Sequence, residues 1–198
     1  MKLEEFAKIR TGLVTARKKK SADGMEETTY KLLNLKCVDS QGNINEEFLE
    51  EYTVSETLKE EYLTQRGDVL VRLSAPYSVS IINEAKLCGL VVPSHFAIVR
   101  VDTNYFVPSY VYWVLSREKT RAKLMKDSSG SSAFGTISSG LIGNIPINMI
   151  PIQKQIALGE LSILSQKEQR LLKILAEEKR KYNNCLINSI YNEIKRGK

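Results

Sequence analysis

The chain has 198 residues, 42% hydrophobic and 26% charged, an ordinary globular composition that excludes disorder throughout and leaves room for one domain plus an appendage. Lys and Arg number 29 against 23 Asp and Glu, a formal charge of +6, which permits nucleic acid as a partner without requiring it. The excess is uneven. Residues 1–150 carry 19 basic and 18 acidic groups, residues 151–198 carry 10 and 5, and residues 46–61 alone hold seven Glu against one Lys.

Met1-Lys2-Leu3-Glu4-Glu5 is charged from its second residue and offers no apolar run of the kind a signal peptide needs. The longest uncharged run, 128–153, is filled with Ser, Gly, Asn and Pro, whose backbone lipid would leave unsatisfied. The expectation is a soluble, cytoplasmic protein without membrane association. Cys37, Cys88 and Cys185 are widely spaced and contain no CxxC pair, so they read as reduced structural thiols rather than a disulfide framework or a zinc site.

Up to about residue 106, apolar residues come in short β-rich runs separated by turn chemistry. Tyr30 to Val38 ends at Ser40-Gln41-Gly42-Asn43, Val69 to Leu73 follows Arg66-Gly67-Asp68, and Ser78 to Ile82 comes next. Leu90 to Pro93 and Phe96 to Val101 read as a further pair, with Pro93 at an edge or a bend. Pro108 is suited to a helix start, and apolar positions 111, 114, 115, 122 and 125 recur at helical intervals. The pattern predicts one helix of about 17 residues. A small-residue loop follows over 128–140, with neutral hydrogen-bonding groups and no charge.

Past Pro151 the chain changes character. Leu161, Leu164, Leu171, Leu175, Tyr182, Leu186 and Ile190, then Ile194, form a helical stripe without an intervening Pro. A helix from Ile152 to Ile194 extends about 64 Å at 1.5 Å per residue, longer than the radius of any domain that 150 residues form, so it must project or lie along a partner. The spacings are heptad-like through Tyr182 and then drift, which favours a short antiparallel pairing over an extended zipper, with Ser165 and Glu168 in or beside the seam.

Catalytic signatures are sparse. His95 is the one histidine and reads as structural, and no GxxxxGK[ST], GxGxxG or HExxH occurs. Asp68 with Glu84 and Lys86 is the remaining enzymatic candidate, because carboxylates and a Lys in this order suit a Mg²⁺-dependent nuclease. The alternative places Asp68 at a turn, with Glu84 and Lys86 solvated. Arg17-Lys18-Lys19-Lys20 reads either as a DNA-facing loop or as a solvated charge run. Arg117, Lys119, Arg121, Lys123 and Lys126 lie too close in sequence to share one face of a single helix, so they read as a solvated side with one or two phosphate contacts.

The order of features resembles one repeat of the specificity subunit of type I restriction-modification systems. The matching residues are Thr11-Gly12, Tyr30-Lys31-Leu32-Leu33, Gly42-Asn43-Ile44, Gly67-Asp68-Val69-Leu70-Val71 and Tyr110 to Ser116. They continue through Gly130-Ser131-Ser132, Thr136-Ile137-Ser138, Asn144-Ile145-Pro146-Ile147, Pro151 and Gln155-Ile156-Ala157 into the terminal helix. The resemblance implies an α+β chain: a mixed α/β target recognition domain over 1–150, then a spacer and dimerisation helix over 151–198 that pairs in an antiparallel coiled coil.

It also implies a non-catalytic subunit that reads double-stranded DNA and docks the modification methyltransferase subunit, with the restriction subunit as a further partner. S-adenosylmethionine, ATP and Mg²⁺ belong to those partners, and no cofactor is expected in this chain. The residues expected to face DNA are Arg17, Lys18, Lys19 and Lys20; Arg72, Ser74, Tyr77 and Ser78; and Ser129, Ser131, Ser132 and Thr136. Two departures stand out. The chain holds one recognition domain and one helix where the family's subunits hold two of each, so it is expected to work as a half subunit, dimerising to read a bipartite palindromic site. Lys154 also stands where the family's helix entry carries an acidic residue.

Overall fold

A computed structural model describes residues 1–15, 27–129 and 135–197. Its elements are strands β1 (Ala7–Thr11), β2 (Thr28–Leu32), β3 (Glu50–Val54), β4 (Val69–Arg72), β5 (Val79–Ile81) and β6 (Phe96–Val101), then helices α1 (Pro108–Ser116), α2 (Glu118–Ser129), α3 (Ser139–Gly143) and α4 (Ile152–Arg196). The chain is α+β, as the resemblance implied. Two compact units follow, Met1–Glu160 and Leu161–Lys198.

In the first unit a four-stranded antiparallel sheet has the order β1-β6-β4-β5, and β2 and β3 form a separate antiparallel ribbon. Val69, Leu70 and Val71 are all buried, which explains why their run is apolar without alternation: both faces of the sheet are covered. Leu70, Phe96 and Ile98 join Leu33, Cys37, Val38, Ile82, Leu87, Leu90 and Val92 in one core cluster. Alternation directs Val69, Val71, Ala97 and Val99 to the opposite face, and α1 packs on β4, β5 and β6. The turn at Gly42 has φ +87°, and a Cβ there would meet the Val79 carbonyl oxygen at 1.8 Å. Only glycine lets that turn lie against β5.

The strand expectations fare unevenly. β4, β5 and β6 form where the apolar runs placed them, whereas 90–93 makes only isolated bridges, Val91 to Leu32 and Leu63 and Pro93 to Leu13. β1 and β3 lie outside the expected runs. Both are rich in charged and polar residues and hold no fully buried one (Lys8 and Arg10 in β1; Glu50 and Glu51 in β3), so apolar content alone does not reveal them.

The single helix expected from Pro108 is two helices, broken at Arg117, whose ψ of 137° is extended. The reason is angular. Leu115 and Leu124 are nine residues apart, which puts them on opposite sides of one straight helix, yet both are buried. The break resets the phase, so Leu124 faces the core while Ala122 and Met125 are exposed. Thr120 Oγ1 donates to the Val114 carbonyl across the break at 2.7 Å.

The start of α4 belongs to the first unit. Gln155 is buried; its Oε1 accepts from the Val107 N–H at 2.9 Å, and its Nε2 donates to the carbonyls of Tyr105 at 3.2 Å and Ile150 at 2.9 Å. Gly159 lies so close to Ser109 that an added Cβ would meet its Oγ at 2.2 Å. Ile145 and Ile147 pair with the N-terminus, accepting from the Leu3 N–H and donating to the Met1 carbonyl, both at 3.0 Å. Lys154, the departure from the family's helix entry, is exposed, and the helix still begins at Ile152.

Cys37 is buried, and burial pushes its thiol up. Cys88 and Cys185 are exposed, so burial does not explain them as structural thiols. Among the described residues no helix is long and apolar enough to cross a membrane. Replacing Gln155 by Ala strands one buried N–H and two carbonyls, and is expected to destabilise the protein by about 3 kcal/mol. Thermal unfolding checks it, with a melting point lower by roughly 6–12 °C.

Candidate nucleic-acid interface

The residues expected to face DNA fall into three segments. Arg17, Lys18, Lys19 and Lys20 lie outside the described residues, as do Ser131, Ser132 and the side chain of Ser129. The other two segments come together. The Ile137 N–H donates to the Leu73 carbonyl at 2.8 Å, and the Tyr77 hydroxyl donates to the carbonyl of Gly135. Residues 73–78, which connect β4 to β5, therefore lie against 135–137, 60 residues farther along the chain.

Two of the residues expected to face DNA are buried in the fold. Tyr77 is 8% exposed and Ser78 is 2% exposed, so neither presents its side chain at the surface. Tyr77 instead shapes the loop: it follows a cis Ala75–Pro76 bond and sits at φ 55°. A bulky residue at positive φ carries strain of about 1–3 kcal/mol, held in place by its surroundings. Here the surroundings are Gly135 and Arg121, whose Nη2 donates to the Pro76 carbonyl. Arg121 thus braces the loop rather than joining a solvated side.

Arg72 and Ser74 remain partly accessible and Thr136 is exposed. Arg72 Nε, Ser78 Oγ and Ser80 Oγ are buried without a hydrogen-bond partner among the described residues. Arg72 lies opposite Ser78, whose carbonyl accepts from the Arg72 N–H at 2.9 Å. Ser80 opposes Leu70 two positions along the same ladder, so the three polar groups share one face of the hairpin.

The cations after Trp113 are arranged more specifically than sequence spacing suggests. Arg117 stacks on Trp113, its guanidinium carbon 5.0 Å from the ring centroid, at the end of an aromatic ladder through Phe6, Phe106 and Tyr110. Lys119, Lys123 and Lys126 fall at i, i+4 and i+7 of α2 and share one side of it, and the break at Arg117 sets how that side stands relative to Arg117. Arg117, Lys119 and Lys123 rim a cleft of about 210 Å³ floored by Val114, Ile145 and Pro146, with Thr120 and Asn148 also lining it.

The nuclease candidate has a different arrangement. Asp68 is 1% exposed, and Arg100 grips its carboxylate in a two-pronged pair, Nε to Oδ1 at 2.8 Å and Nη2 to Oδ2 at 2.7 Å. The Gln65 N–H donates to Oδ2 at 2.8 Å and Arg100 also donates to the Leu63 carbonyl at 3.1 Å. The carboxylate raises the Arg100 guanidinium above its usual range. Lys86 pairs with Glu46 and Glu84 at the surface, and both raise its ammonium. Among the described residues no three His, Cys, Asp or Glu gather as a metal site. His95, expected to be structural, is exposed, and its contribution to the core is its backbone carbonyl, which accepts from the Leu73 N–H.

The second unit is the rest of α4. Leu161, Leu164, Leu171, Leu175, Tyr182, Leu186 and Ile190 are all exposed. Leu172, Ile187, Tyr191 and Ile194 are exposed too, and at 100° per residue they widen the same stripe toward its C-terminal end.

No protein-family model matches the chain, and no curated protein matches it in sequence. Solved structures share its fold, two of them as follows. One is the crystal structure of the HsdS subunit from Thermoanaerobacter tengcongensis, with a TM-score of 0.61; the other comes from work on complex assembly and conformational transition of the type I R-M system, with a TM-score of 0.63. Each is 14% identical and covers 89% of this chain. The chain has an HsdS-like fold. It spans 44% of the length of each of those chains. The HsdS-like fold includes the sheet domain and the long helix, in the order the sequence resemblance implied.

Within this fold Asp68 reads as a structural residue. Asp68→Ala is expected to destabilise the protein by roughly 3 kcal/mol, the lower end for breaking a buried pair because Arg100 keeps some solvent access. Urea unfolding measures it; an unchanged midpoint would return Asp68 to the list of functional carboxylates.

Proposed function

We propose that the chain is a DNA-sequence specificity subunit of a type I restriction-modification system, contributing one target recognition domain and one spacer helix. The observation that carries this reading is the HsdS-like fold across 89% of the chain, joined to a helix whose apolar stripe is uncovered. An apolar stripe of this length calls for a partner helix. In this reading a second copy supplies it: the two α4 helices pair antiparallel through Leu161, Leu164, Leu171, Leu175, Tyr182, Leu186 and Ile190. Two identical recognition domains then face DNA under two-fold symmetry, which imposes a split palindromic target.

The recognition domain positions itself by phosphate contacts and reads bases from the joined 72–78 and 135–137 segments, through Arg72, Ser74 and Thr136, together with Arg17 to Lys20. The chain performs no chemistry itself. It recruits an adenine methyltransferase subunit, which brings S-adenosylmethionine, and a restriction subunit joins the same assembly in the cytoplasm.

Two results are expected. Co-expressed with the methyltransferase subunit of its own locus in a methylation-free host, the chain directs adenine methylation to a split palindrome, read by single-molecule sequencing; an asymmetric split motif would identify a different second half, and no motif would remove the specificity role. Light scattering is expected to show a dimer for the wild type and a monomer for the Leu171→Glu, Leu175→Glu double variant. A wild-type monomer would overturn the pairing.

A further inference from the structure

The cleft rimmed by Arg117, Lys119 and Lys123 is not among the segments assigned to base reading, yet three features mark it as a binding feature. Arg117 is held in place by its stack on Trp113, so little side-chain freedom remains to be lost when it binds. Lys119 and Lys123 stand one helical turn apart on the same side of α2, about 6 Å between Cβ atoms. No ion pair joins any of the three to a carboxylate among the described residues. Three unpaired cations held around one cleft attract an anion with several charges in a row.

The floor narrows the choice. Val114, Ile145 and Pro146 offer apolar surface between the cations, which suits a ligand that alternates anionic and apolar groups. A nucleic-acid strand does so, with phosphates separated by sugars. Arg121, on the opposite side of the same α2, braces the 73–78 loop, so one short helix carries both the cleft and the support of the segments proposed to read bases.

We propose that this cleft binds the sugar–phosphate backbone of duplex DNA, with Arg117, Lys119 and Lys123 each meeting a phosphate, and so sets the position from which the 72–78 and 135–137 segments reach the bases. The assignment rests on the specificity-subunit reading above. Such contacts carry affinity without sequence information. They add equally to target and non-target DNA.

The test is equilibrium binding of random-sequence duplex by the chain in complex with its co-expressed methyltransferase subunit, across a series of salt concentrations. The Lys119→Gln, Lys123→Gln variant is expected to lower the slope of log K against log salt by about 1.8, and Arg117→Gln by about 0.9, since each lost phosphate contact removes about 0.9. Lys59→Gln, in the acidic segment, serves as the control and keeps the wild-type slope. Thermal melting confirms that these surface variants fold. A wild-type slope for the double variant overturns the assignment. Loss of the methyltransferase subunit from the complex, with DNA binding by the remaining complex unaltered, also overturns it and makes the cleft a dock for an acidic protein segment. If the wild-type complex binds no duplex at all, the specificity-subunit reading fails along with it.

Discussion

Gln155 is a polar side chain placed where the fold has no water to offer it, and its amide satisfies three backbone groups from two parts of the chain. Tyr105 and Val107 lead into α1, while Ile150 leads into α4, so one amide joins the entrances of two helices. The arrangement leaves no choice of residue. Its oxygen must accept and its nitrogen must donate twice, a combination that a glutamine of this length provides. Gly159 completes the constraint one turn later, because any side chain there would strike Ser109. The Ile145–Ile147 segment is held by the first three residues of the chain, which fixes the route into the helix.

A second constraint works on the sheet. Asp68 is fully buried at the start of β4, and a carboxylate there is tolerable only with a paired cation and further hydrogen bonds. Arg100 on β6 supplies the cation, and the Gln65 N–H supplies the rest. The pair ties the 63–68 segment to the sheet. It also explains why a Gly-Asp-Val-Leu-Val strand suggests chemistry by its residue types and yet serves architecture.

Much of the candidate interface depends on the break at Arg117. A continuous helix would put Lys119 about 200° around the axis from Arg117 and would turn Leu124 away from the core. With the break, Lys119 and Lys123 join Arg117 at one cleft, and Arg121 reaches the Pro76 carbonyl. The 73–78 loop then meets Gly135 through Tyr77, at a positive φ that this packing sustains. The one-turn spacing of Lys119 and Lys123 is legible in the sequence, but their place relative to Arg117 and the 73–78 loop is not, because the phase of α2 is set by what Leu124 and Ser128 bury against.

The sequence by itself determined the parts governed by local physics. Apolar runs between turn residues marked β4, β5 and β6; Pro108 marked the start of α1; and the long stripe after Pro151 marked α4 to within a turn at its far end. The order of short motifs also implied the HsdS-like fold before any coordinates. Tertiary structure alone decided the rest. β1 and β3 are strands because neighbouring strands pair with them, not because of their own composition. Tyr77 and Ser78 read as surface residues because a polar loop carries no signal of its own burial, whereas in the fold both are buried, Tyr77 against Gly135, 58 positions farther on. The same long-range contacts turned Asp68 from a candidate metal ligand into the partner of Arg100, and gathered three cations from either side of a helix break around a cleft.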